Sequence, residues 1–123
     1  MEMFTIVRPE HLNHYGSLFG GQLLKWIDEF AFLAAIREFP GCRLVTRAMD
    51  NVSFARGVRN GSLLRFAIER MDIGNSSATY KVDVFARETG SAEDTHVFET
   101  AITFVSVNAK QQKVPLPAPL EAS

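Results

Sequence analysis

The feature that most constrains this fold is one long helical segment followed by four long strand-like runs. Between Gly21 and Glu38 the sequence has no proline and no interior glycine, and Pro40 and Gly41 end the segment. Apolar residues occupy nearly the whole circumference of this predicted helix, which is typical of a buried helix. The strand-like runs follow near residues 43–55, 62–73, 77–88 and 96–107.

The strand-like runs are separated by turn sequences. Apolar residues at 80, 82, 84 and 86 alternate with charged residues at 81, 83 and 87, which is the period of a half-buried strand. Asn-Gly at 60–61 and Gly-Asn at 74–75 stand between runs, where tight hairpin turns require them. A further short strand is predicted at residues 4–9, where the terminal proline cannot donate a ladder hydrogen bond.

Each long run has about 11 residues, roughly twice the usual strand length, and one helix cannot cover a flat sheet of that extent. We therefore predict an α+β fold in which a curved antiparallel sheet wraps around one long buried helix. Phe85, on the convex side, would then need solvent tolerance or a partner subunit. The end of the sequence, KVPLPAPLEAS, has three prolines and should be extended. We therefore expect one domain over residues 1–117 and an extended tail over residues 118–123.

Composition and charge argue against several classes of protein. The 123 residues are 46% hydrophobic and 22% charged, with a formal net charge of −1 and no basic cluster to bind nucleic acid. The single cysteine, Cys42, excludes an internal disulfide and a cysteine-based metal cluster within one chain. We see no secretory signal and no apolar stretch long enough to span a membrane, so we expect a cytoplasmic protein with no membrane partner.

Asp28 places a carboxylate inside the apolar helix. Its helical neighbours at i−4, i+3, i+4 and i+7 are apolar. Burial among such neighbours makes a carboxylate more basic, as a general base requires. The alternative is a structural role, in which Asp28 pairs with Lys25 or lies at a solvated edge of the helix. The helix pattern alone leaves both interpretations open.

Gly20 and Gly21 stand at the predicted start of the helix. First-turn N–H groups have no intrahelical partner and lie at the positive end of the helix dipole. A carbonyl oxygen placed there would have its developing negative charge stabilised. Close packing between helix and strand is the alternative explanation for the two glycines. Asn13 in the preceding loop could hold a water or a carbonyl through its amide, or serve as a turn residue.

The remaining polar residues form no recognised catalytic or metal-binding pattern. None of the three histidines has ligand spacing to another histidine or to the cysteine, so we expect no metal site. No serine has the GxSxG context of a nucleophile. Arg56 and Arg59, with Ser77 at a later turn, could contact the phosphates of a nucleotide-bearing substrate, or be solvated charges at strand ends.

Three segments together resemble a known family. They are N-x-x-G-x-L-F-G-G-x-x-L-x-W-x-D at 13–28, VTRAMDNVSFARGVRNG at 45–61 and FETAITFVSVN at 98–108. They are similar to the hotdog-fold acyl-CoA thioesterases, in particular to bacterial acyl-CoA hydrolases related to the double-hotdog cytosolic enzymes of animals. The resemblance covers roughly residues 4–117 and implies hydrolysis of acyl-CoA to a free acid and coenzyme A, without a metal or redox cofactor.

The resemblance also implies where each function lies. The motif aspartate falls on Asp28, acting as a general base toward water or as a nucleophile toward the thioester carbonyl. The motif asparagine falls on Asn13, contributed by the opposite subunit, and the backbone N–H of Gly20 polarises the carbonyl. Gly21 and Phe19 adjoin the substrate, and Phe19 stands where many relatives have a histidine. Because the family's sites lie between two protomers, we expect a homodimer at least, and a tetramer or hexamer beyond it.

The sequence departs from the family at two places, and two other functions are compatible with its pattern. Relatives usually have a proline at Gly57, and an Arg-Thr-Ser turn near the expected coenzyme A path where this chain has GNSS at 74–77. A non-catalytic module that binds acyl-CoA is one alternative function. A hotdog dehydratase acting on 3-hydroxyacyl thioesters is another, although the family's dehydratases use a histidine and none lies in the predicted helix.

Overall fold

The computed structural model describes residues 1–54 and 56–120, without the side chains of residues 51–53. The elements of this part of the chain are, in order, β1 (Glu2–Ile6), a 3₁₀ turn (Pro9–His11), α1 (Gly20–Glu38), β2 (Leu44–Phe54), β3 (Leu63–Ile73), β4 (Ser77–Arg87) and β5 (Thr95–Ser106).

The five strands form one antiparallel sheet in the order β1-β3-β4-β5-β2. The predicted α+β architecture is confirmed, and so are the long strands: β2, β3 and β4 have 11 residues each and β5 has 12. β1 and β2 are the two edges of the sheet, although only the helix and its loops separate them in the chain.

α1 packs one face against the inner side of the sheet, and this contact forms the core. The buried helix residues recur at helical spacing: Leu23, Trp26, Ile27, Ala31, Ala34 and Ala35. On β4, alternate residues from Ala78 to Ala86 are buried while those between them are not, so every second side chain points toward the helix.

The side of α1 that faces away from the sheet is not covered in the single chain. Phe32 and Leu33 remain 36% and 39% exposed. The apolar circumference seen in the sequence is therefore only partly buried by this chain's own sheet. Among the described residues, no helix combines the length and the apolar character needed to cross a membrane.

The first strand differs from its predicted span of residues 4–9. β1 begins at Glu2 and ends at Ile6, and Pro9 opens the 3₁₀ turn. The fixed φ of proline suits the first position of a helical turn, which is why the chain turns there instead of extending a strand. Val7 still donates its N–H to the carbonyl of Ser62.

The segment after β5 crosses one end of the sheet and reaches the helix. Val114 donates to the Ser106 carbonyl, Leu116 to Asn75, and Leu120 to the carbonyl of Glu38. The side chain of Leu116 packs against the core. Residues 121–123 of the predicted tail lie outside the described part of the chain.

Glu38 ties the end of α1 to the sheet. Its Oε2 pairs with Arg70 Nη1 of β3 at 2.6 Å, and its Oε1 accepts a hydrogen bond from the Tyr80 hydroxyl of β4. Tyr80 is 1% exposed. Burial raises the pKa of Tyr80 and the hydrogen bond to Glu38 raises it further, so the hydroxyl keeps its proton and remains a donor.

Replacing Tyr80→Phe tests this connection. We expect the free energy of unfolding to fall by about 1–2 kcal/mol, because a half-buried carboxylate oxygen loses its donor. Urea denaturation measures the change, with Tyr15→Phe as the matched control because Tyr15 is 81% exposed. Equal stability of the two variants would contradict a stabilising role for the Tyr80 hydroxyl.

Candidate active site

The start of α1 presents two backbone donors. The carbonyl of Phe19 accepts the N–H groups of Gln22 and Leu23, at 3.0 and 3.2 Å. The N–H groups of Gly20 and Gly21 precede these and have no acceptor within the helix. Among the described residues, neither donates to a backbone carbonyl elsewhere. Two N–H groups thus remain at the positive end of the helix dipole, as the sequence predicts.

Two exposed aromatic rings flank these donors. A Cβ on Gly21 would lie 2.6 Å from Cε1 of Phe19, and a Cβ on Gly20 would lie 3.4 Å from Cζ of Phe54. Phe19 and Phe54 are 56% and 54% exposed, and the Phe54 ring packs on Phe98 with centroids 4.5 Å apart. The missing side chain of Gly21 therefore lets the Phe19 ring approach the start of the helix, while the Phe54 ring lies at ordinary contact distance from Gly20. No periodicity in the sequence indicates that Phe54 belongs to this site.

Asn13 closes the loop that precedes the helix. Its Oδ1 accepts hydrogen bonds from the N–H groups of Tyr15 and Ser17, at 2.9 and 3.2 Å. Asn13 therefore serves as a turn residue, which was one of the two interpretations of the sequence. This role occupies only the oxygen, and neither N–H of the Nδ2 amide donates to another group among the described residues.

Asp28 lies on α1, half-buried, beside the edge strand β2. Its Oδ1 accepts a hydrogen bond from the Thr46 hydroxyl at 2.6 Å. A shift in the β2–β5 register follows Thr46 directly, so the strand is irregular at this point. An ion pair with Lys25 is absent from the pairs formed by the described residues. The contact with Thr46 joins residues far apart in sequence, and no local pattern predicts it.

The carboxylate and the backbone donors are well separated within one chain. Asp28 lies two turns beyond Gly20, which is about 12 Å along the helix axis. A thioester carbonyl bound at the Gly20 N–H would therefore lie out of reach of the Asp28 carboxylate of the same helix. The structure places these groups on one rigid element without bringing them together.

The three residues predicted to contact phosphates do not gather in one place. The backbone of Arg59 pairs with Ser17, at the same end of the molecule as the start of α1. Arg56 lines a groove of about 180 Å³ that also contains Glu88 and Glu93, whose carboxylates would repel a phosphate. Ser77 lies at the far end of β3, about 35 Å away along an 11-residue strand.

Substitutions at Asn13 separate its turn role from any role of its amide donors. We expect Asn13→Ala to lower the free energy of unfolding by about 1 kcal/mol, because the N–H groups of Tyr15 and Ser17 lose their acceptor. Asn13→Asp keeps that acceptor and should unfold near the wild-type urea concentration. An alanine variant as stable as the wild type would show that the turn does not depend on this side chain.

Comparison with known proteins gives a consistent set of relatives. The sequence profile of the thioesterase superfamily matches residues 15–93. Acyl-coenzyme A thioesterase 11 of Mus musculus is 35% identical over 106 residues, which are 86% of this chain and 18% of the mouse protein. An uncharacterized acyl-CoA thioester hydrolase of Bacillus subtilis, YkhA, is 29% identical over 113 residues, covering 90% of this chain and 64% of its own. This chain thus spans less than two thirds of either relative.

A solved structure extends the comparison to three dimensions. The hexameric hotdog fold thioesterase of Campylobacter jejuni matches with a TM-score of 0.83 and 30% sequence identity. The match covers 94% of this chain and 88% of the Campylobacter chain. The similarity therefore extends over nearly the whole of this chain.

Proposed function

Because this chain belongs to the thioesterase superfamily, we propose that it hydrolyses acyl-CoA to a free carboxylic acid and coenzyme A. The observation that carries the proposal is the Asp28 carboxylate, held by Thr46 on a helix whose first-turn N–H groups remain available. The fold itself is the hotdog fold, as the resemblance implies and the Campylobacter structure confirms.

The hydrogen bond from Thr46 orients the Asp28 carboxylate and leaves its second oxygen available to react. As a general base, Asp28 takes a proton from water while the water oxygen adds to the thioester carbonyl carbon. The C–S bond then breaks, and the proton passes from Asp28 to the departing thiolate of coenzyme A. As a nucleophile, the same carboxylate attacks the carbonyl carbon and the C–S bond breaks, which releases the thiolate of coenzyme A and leaves a mixed anhydride. Water then cleaves the anhydride, giving the free acid and the Asp28 carboxylate, and a proton from this water goes to the thiolate. Both routes need the carboxylate ionised.

Either route also needs stabilisation of the negative charge on the carbonyl oxygen, and the start of α1 can supply it. Negative charge develops on the carbonyl oxygen when the carbonyl carbon becomes tetrahedral. The N–H groups of Gly20 and Gly21 can donate to that oxygen, and the helix dipole favours the charge. The exposed rings of Phe19 and Phe54 can pack against the substrate and exclude water, which strengthens these hydrogen bonds.

The separation of about 12 Å between Asp28 and Gly20 supports a site shared by two subunits. In our proposal, Asp28 of one protomer meets the helix start and the Asn13 amide of another. The exposed Phe32, one turn beyond Asp28 on the same side of the helix, would be covered by that partner. A homodimer is then the smallest active unit, with assembly to a tetramer or hexamer beyond it.

The proposal also covers which residues bind the coenzyme A phosphates and where in the cell the protein acts. Arg59 lies at the same end of the molecule as Gly20, where it could meet phosphates. Arg56 is the weaker candidate because Glu88 and Glu93 share its groove, and Ser77 could contribute only from another subunit. A single cysteine and a coenzyme A thioester substrate both favour the cytoplasm.

Free-thiol release from a panel of short, long and aromatic acyl-CoAs tests the reaction. We expect release by the wild type and a kcat lower by about 10²- to 10⁴-fold in Asp28→Asn, the range for loss of a general base. Glu29→Gln is the matched control, since it removes an exposed carboxylate from the next helix position. A near-normal rate in Asp28→Asn would exclude Asp28 as the catalytic carboxylate.

The same panel separates the two alternative functions. Coenzyme A binding without thiol release from any acyl-CoA would identify a non-catalytic binding module. Hydration of crotonyl-CoA would identify a dehydratase. The structure offers little support for the dehydratase, since His11 accepts a hydrogen bond from Arg8, His14 packs on Tyr15, and no histidine contact with Asp28 is found among the described residues.

Complementation between two inactive variants tests the shared site. Asp28→Asn and Asn13→Asp should each be inactive, while a mixed dimer of the two contains one site with neither substitution. Random mixing of equal amounts should then restore about a quarter of the wild-type rate, since half of the dimers are mixed and each has one intact site. Absence of any recovery, with mixed dimers demonstrated by mass spectrometry, would place the whole site within one protomer.

A further inference from the structure

Three potential metal ligands meet on the outer face of the sheet, the face that points away from α1. Asp83 of β4 and His96 and Glu99 of β5 each offer a ligand atom, and these atoms lie within 4.8 Å of one another. We propose that this cluster binds Zn²⁺, or a divalent transition-metal ion of similar ligand preference, and so joins β4 to β5. The proposed thioesterase reaction makes no use of these three residues.

An irregularity in β5 creates the cluster. Val84 pairs with Phe98, whereas the next residue of β4, Phe85, pairs with His96, so Val97 is an extra residue in β5. Val97 and Phe98 are consecutive and both buried, at 2% and 0% exposure. In a regular strand, residues three apart point to opposite faces. The bulge therefore turns His96 to the same face as Glu99, and bulges are frequent where a side chain must be re-aimed for function.

The charges of the cluster favour a cation. Asp83 and Glu99 are direct partners across β4 and β5, and like charges in directly opposite positions destabilise a sheet. His96 Nε2 lies 2.9 Å from Asp83 Oδ1, and Lys81 Nζ lies 3.7 Å from Asp83 Oδ2. A divalent ion between the two carboxylates would offset their repulsion more effectively than these two contacts alone. Lys81 could keep its contact with Oδ2 while the metal takes Oδ1.

The donor types suit zinc better than magnesium or calcium. His96 Nε2 and Asp83 Oδ1 are 2.9 Å apart, at hydrogen-bond distance. A widening of about 0.5 Å would let both atoms bind one tetrahedral ion at about 2.0–2.2 Å. An imidazole with two carboxylates is a zinc-type donor set, whereas magnesium and calcium prefer oxygen alone. Water would complete the coordination.

Neighbouring side chains hold the imidazole in position. The Phe85 ring packs edge-to-face against His96 with centroids 5.2 Å apart. Arg65 lies over the same Phe85 ring, with its guanidinium carbon 4.2 Å from the ring centroid. Phe85, which the sequence leaves without a cover on the convex face, is thus packed between two side chains. A fixed imidazole loses less conformational entropy when it binds a metal.

Isothermal titration of the metal-free full chain with Zn²⁺ tests the proposal. We expect saturable binding and a melting temperature that rises with Zn²⁺ concentration, while Mg²⁺ gives no comparable rise. His96→Gln and Asp83→Asn should each weaken Zn²⁺ binding more than about tenfold. His14→Gln, which removes an exposed histidine outside the cluster, should bind Zn²⁺ like the wild type.

Co²⁺ provides an independent readout of the ligands. We expect a visible absorption band when Co²⁺ binds the wild type and its loss in His96→Gln. If that variant does not fold, which circular dichroism would show, Glu99→Gln serves in its place. Two results would overturn the proposal: no Zn²⁺ binding by the wild type, or equal Zn²⁺ affinities of the wild type and the folded ligand variants.

Discussion

Burial of one face of α1 against the inner side of the sheet is the interaction on which the rest of this structure depends. Each large apolar side chain removed from water there contributes about 1.5–3 kcal/mol. The same contact sets the position and direction of the helix, and therefore where its first-turn N–H groups and Asp28 lie. Glu38 completes the arrangement at the other end, through Arg70 and Tyr80.

A rigid helix explains why the proposed site must be shared. Asp28 and the Gly20 N–H lie on one element whose length along the axis cannot change, so they stay about 12 Å apart. Thr46 orients the carboxylate from the edge strand β2, and Phe19 and Phe54 enclose the helix start. Under the proposed function, each protomer thus carries two separate halves of the proposed site. The exposed apolar side of α1, beside Asp28, is where a partner can bring the halves together.

The two faces of the sheet have separate chemistry because side chains alternate along each strand. The inner face is apolar and packs on α1, while the outer face carries charged residues, including the proposed metal ligands. One extra residue at Val97 changes which β5 side chains reach the outer face without disturbing the buried face. A metal ion there would stabilise two central strands from the side opposite the proposed reaction.

Local patterns in the sequence determined the elements of this protein. Proline, glycine and apolar periodicity placed the helix within one residue of Gly20–Glu38 and located the four long strands, because these signals act over a few neighbouring residues. The motif at 13–28 likewise indicated Asp28, Gly20 and Gly21 as candidate site residues. Only the tertiary structure decided that Thr46 contacts Asp28, that Ser77 lies far from the arginines, and that His96 meets Asp83 and Glu99. These depend on strand register and bulges, which arise from pairing between distant segments and leave no local periodicity to read.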